Sequence, residues 1–162
     1  KVDMGAPELR PELIPVDLPG ETVMGHRLTV GSQTYEIHCV SMGNPHCVVF
    51  VKDPDQVDVE QVGKMLENHP IFPNRANIEF VQVVNRNHLR MRVWERGSGE
   101  TWACGTGACA AVVAAVLAGY CEKDTNVTVK LRGGDLTVNY HSAGDVELMG
   151  NVKTVYEGML EI

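Results

Sequence analysis

A run of small apolar residues, ACGTGACAAVVAAVLAG over residues 103–119, constrains the fold of this chain more than any other feature. Gly119 suits the left-handed end of a helix, so the run predicts a helix over about Gly105–Leu117. This helix presents no polar face, and a helix that is apolar all round must be buried on every side. The rest of the chain must therefore enclose it.

Strand-like segments dominate the rest of the chain. Apolar and polar residues alternate in HRLTV, YEIHCVSMG, LRMRVWE and LTVNY, and short polar turns between such segments predict hairpins. One amphipathic helix is predicted from a cap at Asp58, and Pro70 ends it. Because only sheets are available to enclose the apolar helix, we predict an α+β fold, with a curved mixed or antiparallel, barrel-like sheet wrapped around a buried central helix.

Composition narrows the class of partner. The 162 residues carry a formal net charge of -7, and Lys and Arg are scattered, which argues against nucleic-acid or membrane partners. No apolar run reaches the ~18 residues of a membrane span, and the start lacks a signal-peptide pattern. We therefore expect a cytoplasmic protein with a small-molecule partner.

The chain begins with Lys1 rather than Met, which suggests a fragment or a processed protein.

The start of the apolar helix is the main candidate site. The first N–H groups of a helix have no partner within it and carry the positive end of its dipole, so they can bind an anion. Gly105 and Gly107 leave this end open, and Cys104 lies where the dipole lowers a thiol pKa. The sequence therefore predicts a nucleophile or a proton-transferring base at Cys104. The other cysteines are assigned to packing: Cys39, Cys47, Cys109 and Cys121.

Three other motif interpretations are weaker. GTGACA fits the dinucleotide pattern G-x-G-x-x-A, but GSGETWA separates it from the preceding strand. Cys104 and Cys109 have the spacing of one iron–sulfur ligand pair, but no C-x2-C follows. The six histidines show no metal-ligand spacing, so no metal site is predicted. A non-catalytic module that holds a carboxylate remains an alternative.

Polar residues at strand ends can join the site. Pro45 restricts Asn44 to an extended conformation, and His46 could relay a proton. Asn77 precedes one apolar strand, and Glu95 and Arg96 end another. An arginine beside a helix N-terminus could hold a carboxylate, and Glu95 could hold an ammonium group or raise a thiol pKa.

Four segments make the chain recognisable: SMGNPHCVVFV, NRANIEFVQV, RVWERGSGETWACGTGACAAVVAA and VYEG. Together they resemble the diaminopimelate epimerase family over nearly the whole chain, which corresponds to the C-terminal half of that enzyme. The resemblance implies one of two pseudo-symmetric lobes, each a sheet curled around a helix. It also implies interconversion of LL- and meso-2,6-diaminopimelate without a cofactor, by one cysteine from each lobe.

The resemblance also implies roles for individual residues. Cys104 is the acid/base of this lobe, and Gly105 and Thr106 form the carboxylate-binding helix start. His46 and Glu95 are expected to adjust the thiol pKa values. The positions that match ligand contacts are Asn44, Asn77, Glu95 and Arg96.

One departure from the family limits the predicted activity. The family's other cysteine lies in an Asp-Gly-Cys-Gly-Asn motif that these 162 residues lack. We therefore predict no significant epimerase activity for this chain alone. A proline racemase-like or phenazine-biosynthesis-like enzyme is an alternative, but its glycine-rich helix start would differ.

The resemblance also divides the chain into three parts. Residues 1–22 are expected to be a strand and connector from the N-terminal lobe, and residues 23–150 the C-terminal lobe. Residues 151–162 are expected to form a strand that pairs with the N-terminal lobe. Without that lobe, unpaired strand edges should favour self-association or disorder.

Overall fold

The computed structural model describes residues 1–160, and one mixed sheet of ten strands encloses the apolar helix. Helix α1 spans Val59–Glu67 and α2 spans Gly105–Leu117, the range predicted from the sequence. The strands are β1 (Val2–Asp3), β2 (Met24–Val30), β3 (Gln33–Ser41), β4 (Pro45–Phe50), β5 (Asn77–Asn85), β6 (His88–Glu95), β7 (Gly99–Thr101), β8 (Asn126–Leu131), β9 (Gly134–Tyr140) and β10 (Val146–Met149). The predicted α+β class with a sheet around a buried central helix is confirmed.

The sheet has the order β1-β10-β9-β8-β6-β5-β4-β3-β2, with β7 paired to β6. Most neighbours are antiparallel, but β4 pairs with β5 and β6 pairs with β8 in parallel. Helix α1 connects the first parallel pair, and β7 and α2 connect the second. In the strand order of the sheet, β5 lies on the same side of β4 as β8 does of β6, so both crossovers move toward the same edge. Strands β4 and β6, from which the crossovers start, run in opposite directions. Because such crossovers are right-handed, the two helices must lie on opposite faces.

Two apolar cores match this arrangement. The larger core surrounds α2, whose residues 107–115 are all buried, and it includes Val48 of β4 and Val81 of β5. The second core lies between α1 and the other face of the sheet, and it includes Leu66 of α1 and Phe80 of β5. Side chains along β4 and β5 alternate between the two cores, as a strand buried on both faces requires. His46 and Asn77 therefore lie near the start of strands that cross the middle of the protein.

Helix α1 begins where the sequence predicted. The Asp58 side chain accepts a hydrogen bond from the Gln61 amide at 3.0 Å, which satisfies one of the free N–H groups of the first turn. Gly63 of this helix faces Trp94 of β6 so closely that an added Cβ would lie 2.6 Å from the Cβ and Cγ of that tryptophan. The helix therefore contacts the sheet through backbone at this point.

The N-terminal segment pairs with the sheet, whereas residues 151–160 do not. Strand β1 pairs antiparallel with β10, with Val2 opposite Leu148, and the connector buries Ile14 and Val16 in the second core. Residues 151–160 are exposed and form no strand. The strand predicted over residues 151–162 is thus not formed among residues 151–160, and residues 161 and 162 lie outside the described residues. Its pairing with a second lobe, and the three-part division of the chain, stay predictions.

No helix in the described part of the chain has the length and apolar character needed to cross a membrane.

Candidate active site

Cys104 is the residue that begins α2. Its backbone is extended, its carbonyl accepts from the Ala108 amide, and its Sγ accepts from the Gly107 amide at 3.3 Å. Thr106 Oγ1 lies 3.6 Å from the same sulfur. The thiol is therefore held at the helix start by two polar neighbours, while the residue is only 8% exposed. The amides of Gly105 and Thr106, at the first two helical positions, have no partner within the helix.

The thiol of Cys104 is harder to ionise than an ordinary cysteine. Burial is the main cause and the negative charge of Glu79 the next, and together they raise the pKa of Cys104 to about 11. Hydrogen bonds from Thr106 and Gly107 oppose this shift, and the charge of Glu95 adds to it. The amide of Gly107 at the helix start lowers this pKa, in the direction expected of a helix N-terminus, but burial and Glu79 raise it by more. At neutral pH the thiol therefore stays protonated.

His46 lies in a buried chain of polar groups that runs from Asn44 to Glu79. Its Nδ1 is 2.7 Å from Glu79 Oε1, and its Nε2 is 3.0 Å from Asn44 Oδ1. Both His46 and Glu79 are fully buried. The structure thus brings together Asn44 and His46, as the motif GNPH suggested, and adds a carboxylate behind them.

Glu79 is the site residue that the sequence analysis missed. It stands two positions after Asn77 on β5, so both side chains point to the α2 face of the sheet. A Cβ added at Gly107 would lie 2.8 Å from Glu79 Oε1 and 3.1 Å from Cys104 Sγ. The carboxylate and the thiol are therefore neighbours across that glycine. The signal available in the sequence was a charged residue at an inward position of the apolar strand NIEFVQV.

Asn77 is buried and uses both ends of its amide within the protein. Its Nδ2 donates to the Pro45 carbonyl, and its Oδ1 accepts from the Arg96 amide, both at 2.9 Å. Asn77 thereby fastens the strand that carries His46 to the turn that follows β6. The Arg96 side chain is exposed, and its Nη1 donates to the Asn74 carbonyl at 3.1 Å rather than to any of the predicted site residues.

The turn after β6 is stabilised by hydrogen bonds to a residue of α1. Glu67, at the end of α1, accepts from Trp94 Nε1 at 2.7 Å and from the Gly97 amide at 2.9 Å. Glu95 accepts a hydrogen bond from Thr101 Oγ1, which ties its carboxylate to β7. The negative charge of this carboxylate also raises the pKa of Cys104, less than that of Glu79 does. Among residues 1–160, no three His, Cys, Asp or Glu side chains are grouped so that they could hold a metal ion.

The family model described as "Diaminopimelate epimerase" matches residues 38–155 of this chain. A diaminopimelate epimerase of Pelotomaculum thermopropionicum is 49% identical over 158 residues, which are 98% of this chain and 56% of that protein. One of Desulfitobacterium hafniense is 49% identical over 160 residues, with 99% and 56% coverage. This chain therefore spans just over half the length of these curated relatives.

Solved structures share the fold at low sequence identity. A hydroxyproline epimerase from Agrobacterium vitis has a TM-score of 0.59 and 14% identity, covering 77% of this chain and 44% of that one. A Pseudomonas aeruginosa protein described as a predicted epimerase has a TM-score of 0.54 and 17% identity, with 96% and 58% coverage. These likenesses show a shared fold. The match of the family model over most of the chain shows more, and the chain belongs to the diaminopimelate epimerase family.

Proposed function

We propose that this chain is the C-terminal lobe of a diaminopimelate epimerase and supplies one of two thiols that transfer a proton at the α-carbon. The enzyme would interconvert LL- and meso-2,6-diaminopimelate without pyridoxal phosphate or a metal. The observation that carries the proposal is the Cys104 thiol, which stands at the start of the buried helix α2 with the negative charges of Glu79 and Glu95 acting on it.

The high pKa of Cys104 suits one direction of this reaction. A thiol that stays protonated at neutral pH can deliver its proton to a carbanion at the α-carbon. The S–H bond breaks, the new C–H bond takes the electron pair of the carbanion, and Cys104 is left as a thiolate. In the reverse direction this thiolate removes the α-proton. A thiol from the opposite lobe must act on the other face for the configuration to invert.

The surrounding groups support binding of an amino acid. The free amides of Gly105 and Thr106 can hold the α-carboxylate at the positive end of the helix dipole. The Glu95 carboxylate can hold the α-ammonium group, and that positive charge would offset the negative field on Cys104. Asn44 and Arg96 are proposed to contact the ligand from the surrounding turns. Asn77 supports them, because it holds the backbone of Arg96.

The first prediction concerns the chain alone. With LL-diaminopimelate, the purified 162-residue chain is expected to show no significant epimerisation, because a single thiol cannot serve both faces of the α-carbon. Chiral chromatography of the product would measure this. The control is the same chain joined to the half of the P. thermopropionicum relative that it lacks, which should restore turnover. Turnover of the isolated chain near that of an ordinary enzyme would refute the two-thiol proposal.

A second prediction concerns association. We propose that the chain pairs with its N-terminal lobe, or with a second copy of itself when that lobe is absent. Strands β1 and β2 are the edges of the sheet, and residues 151–160 expose five apolar side chains: Val152, Val155, Tyr156, Met159 and Leu160. Light scattering after size-exclusion chromatography should show dimers or larger species. Removal of residues 151–162 should reduce them, whereas a monomer at all concentrations would contradict the prediction.

A further inference from the structure

Glu79 is a buried carboxylate to which the proposed function assigns only a negative charge near Cys104. It is fully buried near the start of β5, where Oε1 lies 2.7 Å from His46 Nδ1. Its other oxygen, Oε2, has no hydrogen-bond partner among the described residues. A buried carboxylate with an unused oxygen is costly, because the charge has lost its water. A group kept at such a cost is a candidate for a part in the chemistry.

Its position links two groups of the candidate site. On one side Glu79 contacts the His46 ring. On the other side it lies against Gly107, where an added Cβ would be 2.8 Å from Oε1 and 3.1 Å from Cys104 Sγ. Only a glycine at position 107 allows this approach of strand and helix. One carboxylate is thus placed between the imidazole and the thiol.

The hydrogen bonds restrict the state of the imidazole. An ionised Glu79 can only accept, so the nitrogen that faces it, Nδ1, must carry a proton. Nε2 then faces Asn44 in one of two ways. A neutral ring accepts there from the Asn44 amide nitrogen, and a doubly protonated ring donates to Asn44 Oδ1. In both states the proton on Nδ1 stays on the side of Glu79.

Resting on the proposed function, we infer that Glu79 is a positioning residue that acts through His46 and Cys104. It keeps a proton on His46 Nδ1, so that Nε2 is the nitrogen turned toward Asn44 and the ligand. It also places a negative charge beside Cys104 Sγ. The proton state of the imidazole and that of the thiol are therefore coupled through one side chain.

The effect of Glu79 on Cys104 must be distinguished from the effects of other titratable groups. Glu95 lies at the end of β6, and Cys109 is the next cysteine along α2. His38 of β3 lies elsewhere, with its ring against Phe50, which in turn contacts Tyr120 beyond the end of α2. Of these, Glu95 acts on Cys104 in the same direction as Glu79 but more weakly. A variant at position 79 therefore isolates the larger contribution.

The decisive experiment measures Cys104 and His46 in the full chain, with Glu79→Gln as the test variant. Alkylation of Cys104 by iodoacetamide would be followed peptide by peptide across pH 7 to 11 by mass spectrometry. Loss of the carboxylate should lower the apparent pKa of Cys104 from about 11. Each unit of this fall raises the fraction of Cys104 present as thiolate at pH 8 about tenfold, but a thiolate of lower pKa is also a weaker nucleophile. The alkylation rate at pH 8 should therefore rise about threefold for each unit. Nitrogen-15 spectra of His46 should show Nδ1 protonated in the parent chain.

Glu100→Gln is the matched control. It removes one carboxylate from β7 that pairs with Arg92 and Arg132, and it should leave the Cys104 rate and the His46 spectrum unchanged. If Glu79→Gln does not fold, the inference is tested by the His46 spectrum of the parent chain and by the Glu79→Asp variant. The shorter carboxylate should keep alkylation of Cys104 slow and weaken the hydrogen bond from His46 Nδ1.

Two results would overturn the inference. One is a parent His46 with its only proton on Nε2, and the other is a folded Glu79→Gln chain whose Cys104 rate equals that of the parent. Neither readout needs turnover of diaminopimelate. An active two-lobed enzyme with an unchanged Cys104 rate in Glu79→Gln would therefore reject the coupling alone. An inactive two-lobed enzyme with the expected rate change would reject only the proposed function.

Discussion

Replacement of Cys104 by alanine is expected to abolish epimerisation in the two-lobed enzyme made by joining this chain to the missing half of the P. thermopropionicum relative. General acid–base groups contribute about 10² to 10⁴ in rate, so kcat should fall by at least about a hundredfold. In the proposed mechanism Cys104 is the proton donor of this chain, and its sulfur is held at the start of α2 by Gly107 and Thr106. Stopped assays with chiral detection of both stereoisomers would measure the loss.

Cys109→Ala is the matched control for that experiment. Cys109 lies on the same helix and is fully buried, and the structure places it among the apolar side chains around α2. The substitution should cost about 1 kcal/mol of stability through a small cavity and leave kcat within about twofold. Retention of more than a tenth of the activity by Cys104→Ala, with the control active, would contradict the acid/base role of Cys104.

Gly63→Ala is expected to lower the free energy of unfolding by about 3 kcal/mol, although alanine is the better helix former. Helix propensity alone would favour alanine by about 1 kcal/mol. The added methyl group would lie 2.6 Å from Trp94 Cβ and Cγ, atoms too close to the backbone to move freely. Overpacking of this kind costs about 1 to 3 kcal/mol or more, and displacement of Trp94 also breaks its hydrogen bond to Glu67.

Urea unfolding followed by circular dichroism would measure this change. Lys64→Ala, one position along α1 at an exposed site, is the control and should stay within about 0.5 kcal/mol of the parent. A Gly63→Ala chain as stable as the parent, or more stable, would contradict the prediction, because it would show that Trp94 can move away from the added methyl group at little cost. Because Trp94 directly precedes Glu95, the variant should also disturb the turn that carries Glu95 and Arg96.

The helices could be predicted from the sequence because their signals are local. Thirteen successive apolar or small residues need burial on every side, and Gly119 ends the run, so the bounds of α2 follow from the segment itself. Asp58 likewise marks the start of α1, and its side chain makes the expected cap. Hairpins such as β5 and β6 were predicted for the same reason, since their turns lie between neighbouring strands.

The parallel pairs could not be predicted in this way. The pairing of β4 with β5 joins residues more than 30 positions apart, such as His46 and Asn77, across a whole helix. No turn motif records that pairing, and alternation of apolar residues does not distinguish parallel from antiparallel neighbours. Yet this register is what brings the GNPH turn beside the strand that carries Glu79.

The site was only partly predictable for a related reason. Cys104, Asn44 and His46 stand out in motifs, and the structure gives each a polar partner. Glu79 stands inside an apolar strand, and its importance depends on a glycine 28 positions later in another element. The pKa of Cys104 depends on burial and on the placement of two carboxylates, which no local pattern reports.

The pairing of β1 with β10 gives the lobe an unusual response to mechanical load. Val2 lies opposite Leu148 and Asp3 opposite Glu147, so the two outer ends of this strand pair emerge on the same side. A pulling force applied at residues 1 and 150 would open the pair one hydrogen bond at a time, like a zipper, instead of shearing all its bonds together. We expect β1 to detach at low force while the sheet around α2 stays intact. A load on these two ends would thus be released before the thiol-bearing core is disturbed.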